Sequence, residues 1–173
     1  MRVGLVSDTH GLIDERLADL FAGVDLILHA GDVVKPAILE VLGAIAPLRV
    51  VRGNNDLAPS LAALPETAML PVGPLTALLV HDLGPRERPH PAVKALLERE
   101  RPDVVVHGHS HRPGAAIVEG RLFVNPGSAG PRRFSLPRTA AILEVRRRRA
   151  VVRFHDLSGA RPTPFGAPFD AAL

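Results

Sequence analysis

Five short polar clusters punctuate an otherwise apolar chain: Asp8-Thr9-His10, Gly31-Asp32, Gly53-Asn54-Asn55-Asp56, His81-Asp82 and Gly108-His109-Ser110-His111. Each follows directly on a run rich in β-branched and aliphatic residues. Taken singly they say little. Asp-x-His serves as a helix cap or turn as readily as a site, and Gly-Asp is common turn chemistry. Gly-His-x-His is harder to attribute to folding alone, because two exposed histidines two residues apart add little stability. Together the clusters offer Asp8, His10, Asp32, Asn54, His81, His109 and His111, that is, two carboxylates, one amide oxygen and four imidazoles. Nitrogen and oxygen donors without sulfur suit Mn, Fe, Zn, Co or Ni, and this balance suits two divalent ions sharing one carboxylate. Glycines ahead of Asp32, Asn54 and His109 would let the backbone turn sharply and come close to such ions.

The elements that must bring these clusters together are legible in the apolar spacing. Val3–Ser7, Asp25–Ala30, Leu48–Arg52, Thr76–His81 and Val104–His107 read as buried strands, and Leu12–Ala22, Ala37–Ile45 and Pro91–Glu100 as helices. Strand and helix in alternation predict an α/β fold with parallel units. Ligands of open α/β sheets lie beyond the carboxyl ends of the strands, where all five clusters fall. Past His107 the pattern changes: Ala115–Glu119, Leu122–Asn125, Ala140–Val145 and Ala150–His155 are strands without intervening helices, with a tight hairpin turn at Glu119-Gly120. This predicts an antiparallel meander. Residues 1–157 read as one domain, and 158–173 as a Pro/Gly/Ala-rich tail that is either a packed extended arm or partly disordered.

A chain of 173 residues can bury a sizeable core without staples. It has no cysteine, which excludes disulfides, thiolate metal sites and a cysteine nucleophile together. The apolar run Val3–Val6 is too short for a secretory core or for a membrane span of about 20 residues. The chain is therefore read as cytoplasmic, with no membrane partner. Its net charge of +3 is unevenly spread, with nine arginines and the single acid Glu144 between Arg121 and Arg153. Such a stripe could follow nucleic acid. Arg146–Arg149, bracketed by two strand-like runs, reads better as a solvated turn and sheet edge. Tyr and Trp are absent, so base stacking would rest on phenylalanine, and nucleic acid is the less favoured partner.

The motifs resemble those of the calcineurin-like metallophosphoesterases, and most of all the small single-domain YfcE type of bacterial and archaeal phosphodiesterase. Val6-Ser7-Asp8-Thr9-His10-Gly11, His29-Ala30-Gly31-Asp32, Arg52-Gly53-Asn54-Asn55-Asp56, Gly108-His109-Ser110-His111 and Asn125-Pro126-Gly127-Ser128 carry the likeness, which covers roughly residues 2–155. The resemblance implies a four-layer αββα sandwich of two mixed β-sheets flanked by helices. It implies one metal held by Asp8, His10, Asp32 and His111, and a second by Asp32, Asn54, His81 and His109, with Asp32 bridging. Manganese is the first choice of ion, with zinc, iron, nickel and cobalt also fitting. Two positions depart from the pattern: Asn55 stands where many relatives have histidine, and Asp82 where glycine usually follows the ligand histidine.

The mechanism implied is phosphate-ester hydrolysis, with a metal-bridging hydroxide attacking phosphorus in line. Asp32 and Asn54 serve it as ligands, and Asp56 as a group that fixes a ligand imidazole through its other N–H. Asn55, and Asn125 with it, would touch phosphate or water, but an amide at 55 cannot protonate the leaving oxygen. His29, inside the second strand, is either a satisfied core histidine or a support for the site. A small phosphate ester is the expected partner, and a homo-oligomer is compatible. Two other classes compete. The retromer scaffold subunit resembles this family and is an interaction module with a degraded metal site, whereas all seven ligand positions here hold competent groups. A nuclease would draw on the arginine stripe.

Overall fold

Continuous apolar runs make the strands, and their pairing divides the molecule into two sheets. The computed structural model describes residues 1–133 and 135–173. Sheet A holds β1 (Arg2–Val6), β2 (Leu26–His29) and β3 (Leu48–Val50) in parallel. It continues antiparallel through β9 (Thr139–Arg146) beside β1, then β10 (Arg149–Asp156). Sheet B has the order β4 (Thr67–Val72), β5 (Leu75–Val80), β6 (Val104–Val106), β8 (Arg121–Asn125), β7 (Gly114–Val118). Helices α1 (Arg16–Leu20), α2 (Ala37–Ile45) and α3 (Pro59–Ala62) cover the outer face of sheet A, and α4 (Pro91–Glu100) covers that of sheet B.

Period-two alternation decides which side chains face which layer. Val3 and Leu5 of β1 enter the core between the sheets with Leu28, Leu79, Val106, Val124 and Leu143. Val6 joins Leu17, Phe21, Ile38 and Leu42 beneath α1 and α2, while Leu78 and Val105 meet Val93 and Leu97 of α4. The result is the four-layer αββα sandwich with two mixed sheets. Each fully buried leucine or phenylalanine contributes on the order of 1.5–3 kcal/mol, so the strand ends are held by a stiff double core.

Several elements differ from expectation. The strands after His107 are not one meander. β8 pairs parallel with β6, leaving β7 at the edge, and the β9–β10 hairpin crosses to sheet A. The helix expected over Leu12–Ala22 shrinks to Arg16–Leu20, because the Asp14 carboxylate accepts the Arg16 backbone N–H (3.1 Å) and ties to Arg138, which holds the preceding residues in a loop. Strand β4 has no clear counterpart in the apolar spacing; Pro71 interrupts its pattern, and it lies at a sheet edge, where proline is tolerated. The tail contributes β11 (Thr163–Pro164) and β12 (Phe169–Ala172), both paired with β10. Positive φ at both Glu119 (50°) and Gly120 (75°) gives the β7–β8 turn the type I′ form.

Candidate metal centre

The carboxyl ends of β1, β2, β3, β5 and β6 meet at one rim, stitched across the two sheets. The His109 N–H donates to Asp8 Oδ2 (3.1 Å), and His81 Nδ1 lies 2.7 Å from Ala30 O. The backbone there is strained. Among the described residues nine that are not glycine have positive φ, and five of them are Asp8, His10, Asp32, His109 and His111. A sixth, Val34 at 69°, is β-branched and sits just beyond Asp32. Left-handed backbone at such residues costs of order 1–3 kcal/mol each and persists only where surrounding structure enforces it. Two glycines make the close approach possible. A Cβ on Gly53 would lie 2.2 Å from Asp32 N and Oδ1, and one on Gly108 would lie 2.0 Å from Ser7 Oγ.

Asp8, His10 and His111 form the first group, with donor atoms all within 4.8 Å of one another. The two imidazoles face each other at 3.2 Å between Nε2 atoms. Asp8 is fully buried, and its Oδ1 has no hydrogen-bond partner among the described residues, although His111 Nε2 lies 3.2 Å away. A buried carboxylate oxygen without a donor is costly unless something positive meets it. Asp32 Oδ2 completes the group, 3.7 Å from His10 Nε2.

The second group turns on the tautomer of His81. Its Nδ1 faces the Ala30 carbonyl and so carries a proton, which in the neutral ring leaves the Nε2 lone pair aimed at Asn54 Oδ1 (3.1 Å) and Asp32 Oδ1 (3.5 Å). His109 Nδ1 converges on the same Asn54 oxygen at 3.0 Å. Acceptors facing acceptors repel unless a cation or proton lies among them. Burial works against the charged ring of His81, yet Asp32 and Asp8 outweigh it and raise its pKa above the ordinary value. Burial likewise opposes charge on Asp32, but His81 and both N–H groups of Asn55 hold its carboxyl well below the usual range. These residues fit divalent ions: nitrogen and oxygen donors converge, a lone carboxylate oxygen is orphaned, and Asp32 presents one oxygen to each group.

The surrounding residues do other work than expected. Asp56 meets no imidazole among the described residues. Its buried carboxylate accepts the backbone N–H groups of Asp32 (3.0 Å), Gly53 (2.7 Å) and Val34 (2.8 Å), binding the β2 loop to the β3 loop. Asn55 lies against Asp32, donating from its backbone to Oδ1 (2.8 Å) and from its side chain to Oδ2 (2.6 Å). Asn125 is buried behind the site, its amide given to Gly108 O (2.8 Å) and Ser110 Oγ (3.1 Å), so it steadies the β6 loop and does not face a ligand. His29 is a satisfied buried histidine. Its Nδ1 accepts the Gly31 N–H (3.2 Å), which leaves Nε2–H for Thr9 Oγ1 (3.0 Å), and burial depresses its pKa to about 4. Asp82, the departure from glycine, stands with Oδ2 3.8 Å from His109 Nε2 and 3.2 Å from His90 Nε2. Asp8, Asp32, His81 and His111 are buried, while Asn54, Asn55 and His109 face solvent and mark the open side.

The fold and this convergence of acids and imidazoles define a metallophosphoesterase-like protein. Residues 1–148 match the calcineurin-like phosphoesterase superfamily domain, and the chain belongs to that superfamily. It is 34% identical over 170 residues to the probable metallophosphoesterase YsnB of Bacillus subtilis, covering 92% of this chain and 93% of that protein. A conserved, predicted phosphoesterase of Streptococcus pneumoniae superposes with a TM-score of 0.75 at 25% identity, over 99% of this chain and 97% of that one. Vacuolar Protein Sorting 29 of Cryptosporidium parvum superposes with a TM-score of 0.83 at 21% identity, over 99% of this chain and 98% of that one. That last likeness is one of fold. No helix among the described residues is long and apolar enough to cross a membrane.

Proposed function

We propose that this chain is a cytoplasmic, binuclear-metal-dependent phosphodiesterase acting on a small phosphate ester. Asp8, His10, Asp32 and His111 would hold one ion and Asp32, Asn54, His81 and His109 the other, with manganese the first choice. The observation that carries the reading is the orphaned, buried Asp8 Oδ1 beside two imidazole nitrogens, a place for a cation and for little else. Divalent ions bound there would supply the charge that brings water near neutral pKa and offsets the phosphoryl oxygens. The chain's own groups then fix geometry. Asn55 clamps both oxygens of Asp32, Asp56 locks the loops bearing Asp32 and Asn54, and Ala30 O sets the tautomer of His81. None of these supplies a proton to the departing oxygen, so the reading favours esters with stable leaving groups.

A second reading has support in the fold likeness to Vacuolar Protein Sorting 29, that of a metal-binding scaffold without catalysis. The complete set of ligands argues for the enzyme. The nuclease reading loses ground because Arg121, Arg138, Arg148, Arg149 and Arg153 of the stripe are engaged by Glu119, Asp14, Asp103, Asp170 and Glu144. The test is to strip the protein of metal, reload it with single metals, and assay mono- and diesters beside elemental analysis. Two ions per chain with diester hydrolysis support the proposal. Tight metal binding without turnover on any ester would favour the scaffold, and no binding of Mn²⁺ or Zn²⁺ would overturn both.

A further inference from the structure

A cleft of about 680 Å³ opens from the exposed side of the metal centre and runs between the β3–α3 segment and α4. Asn54 and His81 line both the centre and the cleft, so the two spaces are continuous. One wall is a stripe of α4, in which Ala92, Ala95, Leu96 and Arg99 at helical spacing face the cleft, while Leu97 anchors the helix on sheet B and Val93 touches both. The other wall carries Ala62 and Leu57, and the Leu57 side chain is left 82% exposed at the cleft. A volume of this size matches pockets of roughly 300–1,000 Å³ that take drug-sized organic groups, and it exceeds what a phosphoryl group needs.

The charges narrow the class of occupant. Both guanidinium groups on the walls already have acidic partners: Arg52 pairs with Glu66, and Arg99 with Glu100 at 2.7 Å. Of the two other acids on the lining, Asp56 is taken up by three backbone N–H groups, and Asp82 has His90 and His109 beside it. With both guanidinium groups paired to acids, the cleft offers, among the described residues, no unpaired arginine or lysine to recruit a second phosphate. Its unmatched surface is the apolar part, Leu57, Leu96 and the alanines.

We propose that this cleft receives the second organic group of a phosphodiester, an uncharged group of about nucleoside size that packs against the apolar walls. This rests on the phosphodiesterase reading and deepens it by naming the substrate class. The test compares thymidine 5′-(p-nitrophenyl) phosphate with methyl p-nitrophenyl phosphate on the metal-loaded protein. Both carry one negative charge and the same leaving group, so only the second ester group differs. The thymidine ester should be favoured in kcat/KM by about tenfold or more, a degree of discrimination that modest pocket contacts supply. Ala95→Trp and Ala62→Trp, each filling the cleft from one wall at an exposed helical position, should erase that preference through KM while metal content stays unchanged. Equal use of the two esters, or a preference that survives both substitutions, would overturn the proposal. So would preference for a thymidine diester bearing an additional phosphate. Cleavage of neither ester by protein that binds metal would overturn the phosphodiesterase reading, and the cleft assignment with it.

Discussion

Asp56 offers a demanding check on how the loops are held. Its carboxylate is 2% exposed and accepts three backbone N–H groups, from Asp32, Gly53 and Val34. Truncation in Asp56→Ala leaves three donors without an acceptor, two of them buried and the Val34 N–H partly so, at about 1–3 kcal/mol for each buried one. Water entering the vacated space recovers some of this, so the expected loss is about 3–5 kcal/mol. Asp56→Asn keeps one oxygen. Placed at the Oδ2 position it can still serve Asp32 and Gly53, but its amide then confronts the Val34 N–H, for a loss of about 2–3 kcal/mol. At roughly 2–4 °C per kcal/mol for a chain of this size, the midpoint should fall by about 4–12 °C for Asn and about 6–20 °C for Ala. Thermal unfolding of the metal-free proteins isolates this effect, since bound ions would add their own stabilisation. Manganese titration of the folded variants should then show weaker binding, because the loops bearing Asp32 and Asn54 are no longer tied. An unfolding midpoint for Asp56→Ala within about 2 °C of the unmodified protein would refute this account of the loops.

Three further outcomes are expected. Asp32→Asn should cost more activity and more bound metal than His111→Ala, because Asp32 presents an oxygen to each ligand group whereas His111 belongs to one; near-normal turnover in Asp32→Asn would show that the sharing is misassigned. His29, whose pKa is moved from 6.5 to about 4 by burial, is neutral when folded and protonated when unfolded between those values. Its stabilising contribution is full above pH 6.5 and declines by about 3 kcal/mol as pH falls to 4. Denaturant unfolding of metal-free protein should therefore show a shallower acid loss in His29→Gln, and an identical pH slope would exclude the assignment. Finally, hydrolysis rates should depend steeply on leaving-group pKa, and Asn55→His should help poor leaving groups most. Any gain should fall below the roughly 10²–10⁴-fold typical of general acid catalysis, because the substitution also removes the 2.6 Å bond from Asn55 to Asp32. A flat dependence across a series of aryl and alkyl esters would mean that another group already donates the proton.

The site is readable in the sequence for a simple physical reason. Metal-ligating types stand at the ends of buried apolar runs, where nothing about packing asks for them, and five such places in one short chain are hard to attribute to folding alone. What the sequence conceals is everything that depends on backbone partners. Asp56 looks like a helper of side chains because carboxylates often are, yet it serves three peptide N–H groups that only the folded loops bring together. Asn125 carries a motif and still faces away from the rim, since its neighbours Gly108 and Ser110 claim its amide. The misplaced meander has the same origin. Periodicity is local, whereas the choice of partner strand is made by the core. A usable signal is nevertheless present in β9. Thr139 through Leu143 is apolar or small at every position, and all five residues are buried, with Ala141 and Leu143 turned to the core between the sheets and Ala140 and Ile142 to the helices. A strand of a meander with one wet face would alternate. A strand with no polar face must have layers on both sides, which excludes a meander with a wet face, and the place beside β1, between the inner core and the helices α1 and α2, supplies both layers. The same reasoning separates β9 from β10, where burial alternates along Arg149–Phe154 as only a strand with one exposed face allows.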